Sequence, residues 1–160
     1  MFRTAVAILT AIIVSCGLIT TSSATTMSPS WPQFRYDAAH DGFNSGERII
    51  GVGNASKLHP LWHWGGSGTY SDPVVANGSV FITSRSNGHC TALTALNATS
   101  GHPLWHKTVT AFQCVDPAIS NSTIFLVTRN PWNLYALNTS TGKQAWSKTL
   151  PSSRFMAPTV

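Results

Sequence analysis

The chain contains little charge. Only 9% of its 160 residues are Asp, Glu, Lys or Arg, whereas typical soluble proteins contain about 25%. Ten basic residues against five acidic ones give a formal net charge of +5. The basic residues are scattered along the chain without forming a run, which argues against the concentrated basic stripe of a nucleic-acid-binding protein.

Long hydrophobic runs and helical periodicity are also missing. No stretch after residue 25 repeats apolar residues at helical spacing, so the pattern argues against a mainly helical fold. The apolar run Ala5 to Val14 is shorter than the roughly 20 residues that a membrane-spanning helix needs. Because Arg3 precedes this run and Ser22-Ser23-Ala24 follow it, the pattern is typical of a signal peptide over residues 1–24.

A lipid anchor is the alternative interpretation of this region. Ile13-Val14-Ser15-Cys16 has the form of a lipobox, in which case Cys16 would be lipidated and the Gly-, Ser- and Thr-rich stretch after it would be a tether. Both interpretations predict an exported protein that is extracellular, periplasmic or on the cell surface. Both also limit membrane contact to the signal peptide or to a lipid at Cys16.

The chain does contain an internal repeat. Residues 95–105 and 136–146 follow one eleven-residue pattern that ends in Trp, and the two tryptophans are 41 positions apart. Residues 59–63 match residues 102–106 letter for letter and place a third Trp at position 62. Self-similarity at this period indicates a supersecondary unit that buries its apolar face by stacking on copies of itself.

Each full repeat predicts four short antiparallel strands. Two β-branched runs precede each motif and are joined by a tight turn, Asn77-Gly78 in the first copy and Asn121-Ser122 in the second. A third apolar run and a fourth run that carries the Trp complete the unit. We therefore predict an all-β fold, a β-propeller with four-stranded antiparallel blades.

The prediction is a partial propeller with roughly two complete blades plus flanking strands. A propeller closes with about four to eight blades, so we expect this chain to be a fragment of a longer protein, truncated at its C-terminus. The blades are predicted at residues 70–109 and 114–150, an outer fourth strand at 59–66 and the start of another blade at 154–160. The predicted organisation is a signal peptide over 1–24, a lead segment over 25–56 and blades over 57–160.

Only three cysteines are present, and two of them lie in the repeats. Cys90 is expected in the loop between the second and third strands of its blade and Cys114 at the start of the next blade, which places both on the same rim. We predict a disulfide between Cys90 and Cys114, in keeping with an oxidising compartment. The alternatives are two unrelated thiols, or a zinc site with His89 that would have too few ligands at recognisable spacing.

The repeat motif is similar to that of a known family. Ala-x-Asn-x-x-x-Gly-x-x-x-Trp resembles the tryptophan-docking motif of the pyrroloquinoline quinone (PQQ) repeat family, with Asn97 and Asn138 where Asp is more usual. Trp31 to Asp37, followed by His40-Asp41-Gly42, resembles the opening segment of its secreted propellers. The resemblance covers residues 31–160. It implies that these motif residues hold neighbouring blades together: Trp62, Trp105, Trp146, Ala95, Asn97, Gly101, Ala136, Asn138 and Gly142.

The resemblance implies two classes of function. Members of the family include PQQ-dependent alcohol and sugar dehydrogenases, and also scaffolds such as the outer-membrane assembly lipoprotein, which lacks the cofactor. A dehydrogenase of this kind needs Ca²⁺ ligands and a catalytic Asp in the central funnel. The chain lacks the adjacent cysteine pair of the dehydrogenases. Its five acidic residues are Asp37, Asp41, Glu47, Asp72 and Asp116.

We therefore expect an exported, non-catalytic propeller that acts as a binding or scaffold module. A protein or small ligand would bind through its loops, nucleic acid is not an expected partner, and no catalytic or metal-binding residue is predicted. Asp72 and Asp116 occupy equivalent places in successive repeats, which favours a structural role for both. The alternative is the N-terminal fragment of a PQQ-dependent dehydrogenase, with PQQ and Ca²⁺ bound only in the full-length protein.

Overall fold

The computed structural model describes residues 30–65, 68–151 and 158–160. The predicted signal peptide and Cys16 lie outside the described residues. The described part of the chain is built from antiparallel strands, with a short 3-10 turn at Ala55–Lys57. No helix within this part has the length and apolar character needed to cross a membrane.

Two sheets follow one another along the chain, and each has the topology of a propeller blade. The first, blade 1, contains β1 (Thr69–Tyr70), β2 (Val74–Ala76), β3 (Ser79–Ser86), β4 (His89–Asn97) and β5 (Pro103–Ala111). The second, blade 2, contains β6 (Gln113–Cys114), β7 (Ala118–Ser120), β8 (Thr123–Arg129), β9 (Asn133–Asn138) and β10 (Gln144–Thr149). The all-β partial propeller predicted from the sequence is therefore confirmed.

The innermost strand of each blade is divided into two pieces, which the sequence analysis treated as one strand. In blade 1 both β1 and β2 pair with β3, and the break falls at Asp72-Pro73. Asp116-Pro117 divides β6 from β7 in the same way. Proline has no N–H to donate to the ladder, so continuous pairing stops there. The ladder register moves by one residue at both breaks.

Two tight turns contain Asn-Gly, and the sequence analysis identified one of them. Asn77 and Gly78 have φ of +51° and +72°, the conformation that a type I′ hairpin requires at both central residues. Asn87-Gly88 forms a second such turn between β3 and β4, with φ of +50° and +77°. Because this turn is so short, Cys90 lies within β4 and pairs with Arg85 rather than lying in a loop.

The outer strand predicted at residues 59–66 is absent from the described part of this range, residues 59–65. A fourth strand pairs only with the third strand of its own blade, and no such strand is described beside residues 59–65. Of the blade start predicted at residues 154–160, only Pro158 to Val160 are described, and they too carry no strand.

The hydrophobic core lies between the two blades. Phe81 and Leu93 from blade 1 form one cluster with Ile124, Leu126 and Leu137 from blade 2, and all five are at most 1% exposed. Burial of each such side chain contributes about 1.5–3 kcal/mol. The central strand β4 is buried without interruption from Ala92 to Leu96 because other residues cover both of its faces.

A disulfide joins the blades at one rim. Cys90 in β4 is bonded to Cys114 in β6 across a Cα–Cα distance of 5.5 Å, which confirms the predicted pairing. The zinc alternative is wrong because a disulfide leaves neither cysteine free as a thiolate ligand. Arg85 reinforces the junction, since its Nη2 donates a hydrogen bond of 2.7 Å to the carbonyl oxygen of Cys114.

Replacing both bridge cysteines, Cys90→Ala with Cys114→Ala, should lower the free energy of unfolding by about 3 kcal/mol, because the bridge closes a loop between residues 24 positions apart. Urea unfolding of the oxidised protein and the variant measures this difference. The reduced wild-type protein is the control and should match the variant. Equal stability of the oxidised protein and the variant would contradict the expectation.

Candidate functional site

The repeated tryptophans form one kind of contact between successive units. Trp62 lies against the turn of blade 1 that ends in Gly101, and its Nε1–H donates a hydrogen bond of 3.0 Å to the carbonyl oxygen of Ala98. A Cβ atom at Gly101 would lie only 2.7 Å from the Trp62 ring. Glycine is therefore required for the indole to approach the backbone.

Trp105 makes the same contact with blade 2. Its Nε1–H donates to the carbonyl oxygen of Thr139 at 2.8 Å, and a Cβ at Gly142 would lie 2.7 Å from its ring. The two glycines have φ of +73° and +65°, which residues with a side chain rarely adopt. Steric access and backbone conformation thus both select glycine at the end of this turn.

The asparagine of each motif builds the turn that receives the indole. The Asn97 side-chain oxygen accepts hydrogen bonds from the backbone N–H groups of Thr99 and Ser100 and from the Ser100 hydroxyl. The Asn138 side-chain oxygen accepts three equivalent bonds from Ser140 and Thr141. An amide oxygen therefore does what the carboxylate of the more usual Asp would do in this turn.

The motif alanines lie beneath the tryptophans. Ala95 pairs directly with Trp105 across β4 and β5, and Ala136 pairs with Trp146 across β9 and β10. Both alanines are fully buried. Trp146 differs from the other two tryptophans because it is 46% exposed, and within the described ranges no glycine turn covers its ring.

Residues 31–33 of the lead segment cross the inner edge of the blades. Trp31 exchanges two backbone hydrogen bonds of 2.8 Å with Val75 of β2, and the Pro32 carbonyl oxygen accepts one of 2.8 Å from Ile119 of β7. The buried Gln33 side chain accepts another of 2.8 Å from the backbone N–H of Val160. The three partners occupy the same place in the repeat pattern, two residues after a proline: Val75 follows Pro73, Ile119 follows Pro117 and Val160 follows Pro158.

The sequence analysis identified this segment only by resemblance and did not predict its contacts. Each hydrogen bond joins residues more than 40 positions apart. No local pattern in the sequence encodes such a pairing.

Two carboxylates come close together at the inner edge. The backbone N–H of Asp72 donates to the Asp116 carboxylate at 3.3 Å, so equivalent residues of successive blades are in contact. Partial burial raises the pKa of Asp116 above its ordinary value, and the negative charge of Asp72 raises it further. The Asp72 N–H and the charge of Arg85 act in the opposite direction and offset part of this rise.

Two open clefts flank these contacts. A cleft of about 400 Å³ lies beside the lead segment and is lined by Trp31, Phe34, Arg35, Gly42, Asp72, Pro73 and Val75. A second, of about 560 Å³, lies beside the disulfide, with Phe112, Val109, Pro131 and His89 among its walls. Within residues 30–65, 68–151 and 158–160, no three His, Cys, Asp or Glu side chains are grouped to hold a metal ion.

The repeats match a known family. The family model described as "Outer membrane protein assembly factor BamB" matches residues 36–160, more than three quarters of the chain. The chain belongs to the BamB family. This match also confirms the resemblance to PQQ-like repeat proteins.

Solved structures give a more distant comparison. The crystal structure of BamB from Moraxella catarrhalis is 20% identical and aligns over 46% of this chain and 21% of that chain, with a TM-score of 0.39. The alignment thus spans about a fifth of the length of that BamB structure. No sequence among curated proteins matches the chain.

Two glycine substitutions should separate the effect of indole packing on stability from the effect of backbone conformation in this BamB-family chain. Gly142→Ala and Gly78→Ala both place a side chain at positive φ, which costs about 1–2 kcal/mol, but only Gly142 lies under an indole. We expect Gly142→Ala to be less stable than Gly78→Ala by roughly 1–3 kcal/mol because of overpacking. Urea unfolding measures both variants. Equal losses would show that the indole tolerates a methyl group there.

Neutralising the half-buried Asp116 carboxylate should stabilise the BamB-family chain at neutral pH. Because the folded-state pKa of Asp116 is raised, its ionisation opposes folding at pH 7, and the penalty disappears as the pH falls through the raised pKa towards the ordinary value of 3.8. We expect Asp116→Asn to be more stable than wild type at pH 7 and equal to it near pH 3. Urea unfolding at the two pH values measures the difference.

Substitution of the exposed Asp72 provides a control for this prediction, because a smaller effect is expected. Asp72→Asn removes only the like charge, so it should shift stability at pH 7 in the same direction but by less. An Asp116→Asn variant that is equally destabilised at both pH values would mean that the hydrogen bond from Asp72 outweighs the buried charge.

Proposed function

We propose that this chain is an exported, non-catalytic propeller module that acts as a binding or scaffold protein. The observation that supports this most is where the repeated polar and aromatic residues are used. The motif tryptophans, glycines and asparagines make contacts between or within the units, and Asp72 contacts Asp116. Residues of this kind therefore serve to build the propeller, which leaves its loops and clefts to bind a partner.

The same proposal assigns the motif residues to blade docking. Trp62 and Trp105 supply the indole rings. The turns that end in Gly101 and Gly142 supply the surfaces on which these rings pack. Trp146 is the third member of the set, and its exposed ring would receive the turn of a further repeat. The division into a signal peptide over residues 1–24, a lead segment over 25–56 and blades over 57–160 belongs to this proposal.

A protein partner outside the cytoplasm is the kind of partner we propose. The relative named above is described as an assembly factor for outer membrane proteins. This chain aligns with about a fifth of the solved BamB structure, so the activity of the whole relative is transferred here only as a proposal. The cleft beside the disulfide, with Phe112 51% exposed at its wall, is where we would expect such a partner to bind.

The described residues do not provide the site that a PQQ-dependent dehydrogenase needs. Ca²⁺ takes about six to eight oxygen ligands, several of them carboxylates. Asp72 and Asp116 meet at the inner edge, but one Asp116 oxygen already accepts the Asp72 N–H, and no third acidic side chain joins them in the described ranges. We therefore derive no step through PQQ from these residues.

A crosslinking experiment tests the proposed binding cleft. A photo-activated crosslinker at Phe112 in the full chain should capture a small, reproducible set of envelope proteins in cells. The same crosslinker at Ser147 on the outer strand β10 is the matched control and should not capture them. Capture of the same proteins at both positions would contradict a specific binding cleft.

A cofactor assay tests the non-catalytic part of the proposal. The purified full chain is mixed with PQQ, Ca²⁺ and a reducible dye, with ethanol or glucose as substrate. No dye reduction above the protein-free control is expected. PQQ-dependent reduction would favour the dehydrogenase alternative and overturn the proposal.

A further inference from the structure

The exposed apolar side chains are concentrated in the lead segment and the residues just after it. Among the described residues, ten large hydrophobic side chains are exposed, and six of them fall between residues 43 and 61. Three belong to one short loop, residues 47–54, which we call the lead loop. In this loop Ile49 is 76% exposed, Ile50 is 49% exposed and Val52 is as exposed as a free residue.

The backbone of the lead loop is bonded from within. The Glu47 carboxylate accepts hydrogen bonds from the N–H groups of Ile49 and Ile50. The Asn54 side chain accepts one of 2.8 Å from the N–H of Gly51 and donates one of 2.6 Å to the carbonyl oxygen of Ile49. The Gly51 carbonyl oxygen accepts two further bonds, from the N–H groups of Asn54 and Ala55.

This arrangement is the reverse of an ordinary surface loop. Surface loops usually leave backbone polar groups to water, whereas here two polar side chains occupy those groups and the aliphatic side chains face outwards. Entry into a non-polar phase is costly for unpaired backbone groups. The lead loop has already removed most of that cost at Ile49 to Gly51, so these residues can leave water at a lower cost in free energy.

Two observations favour a lipid surface over a protein as the non-polar phase. The basic residues Arg48 and Lys57 flank the apolar residues of the loop, and although Glu47 offsets one of these charges, the remaining positive charge suits anionic lipid headgroups. Finally, the leader and the lipobox candidate Cys16 precede the lead segment in the chain.

The tether length permits this contact. Ser30 lies 14 positions after Cys16, a separation that spans at most about 50 Å when extended. A chain held at a membrane through its N-terminal region therefore keeps the lead loop within reach of that membrane.

We propose that the lead loop inserts Ile49, Ile50 and Val52 into the interfacial region of a lipid membrane, and so holds the propeller in a fixed orientation on it. This inference does not depend on the scaffold function proposed above. It adds a membrane contact beyond the signal peptide or lipid anchor.

An environment-sensitive fluorophore at the loop tip tests the proposal. The complete 160-residue chain carries Cys16→Ser and Val52→Cys, with the fluorophore on the new thiol and the Cys90–Cys114 disulfide left oxidised. Vesicles of phosphatidylethanolamine and phosphatidylglycerol at 3:1 are then added. We expect a blue shift, a several-fold gain in intensity, and quenching by lipids that carry a nitroxide near the headgroup.

The matched control places the same fluorophore at Leu104→Cys, an exposed apolar position of 53% on blade 1. The apolar run Ala5 to Val14 can attach every variant to vesicles, so the test compares probe positions and not the amount of protein bound. Position 104 should keep a water-like emission. An unchanged emission at position 52, or equal shifts at both positions, would overturn the proposal. So would a probe at position 52 that is already shielded before vesicles are added, because another protein surface would then cover the tip.

Discussion

The packing of an indole on a glycine turn is the contact on which the described structure depends. Within one motif the glycine and the tryptophan lie four residues apart, yet they serve opposite neighbours. Gly101 receives Trp62 from the preceding unit, while Trp105 of the same motif reaches forward to Gly142. Each repeat therefore carries both halves of the contact. A unit that lost either half would lose this contact with one of its neighbours.

Contacts at other radial positions reinforce this junction. Near the rim, the disulfide and the Arg85 hydrogen bond join β3 and β4 of blade 1 to β6 of blade 2. At the inner edge the contacts are polar and join equivalent residues, Asp72 to Asp116 and the Asn77 side chain to the backbone of Asn121. The apolar core fills the space between them. Because the contacts are spread over this width, they resist rotation of one blade against the other better than a central cluster alone would.

The sequence predicted what depends on local pattern or on the repeat. The Asn77-Gly78 hairpin follows from turn chemistry, and the Cys90–Cys114 pairing follows from the position of both cysteines on the same rim of adjacent repeats. The features that escaped prediction depend on distant partners. Residues 59–65 have the sequence of an outer strand but no strand lies beside them in the part of the chain that the structure describes, and Trp31 pairs with a residue 44 positions away. The candidate site is harder still, because clefts and the pKa of Asp116 arise only when separate blades come together.

The path of residues 31–32 sets a limit on the distance between the two blades. Two adjacent extended residues span at most about 7 Å, yet the backbone groups of Trp31 and Pro32 are hydrogen-bonded to Val75 and Ile119, which hold equivalent places in blades 1 and 2. The inner strands β2 and β7 therefore lie close together where they meet this segment, and the segment that joins them belongs to neither blade. A change in the length of this segment would alter the spacing between blades 1 and 2 without replacing any residue of either blade.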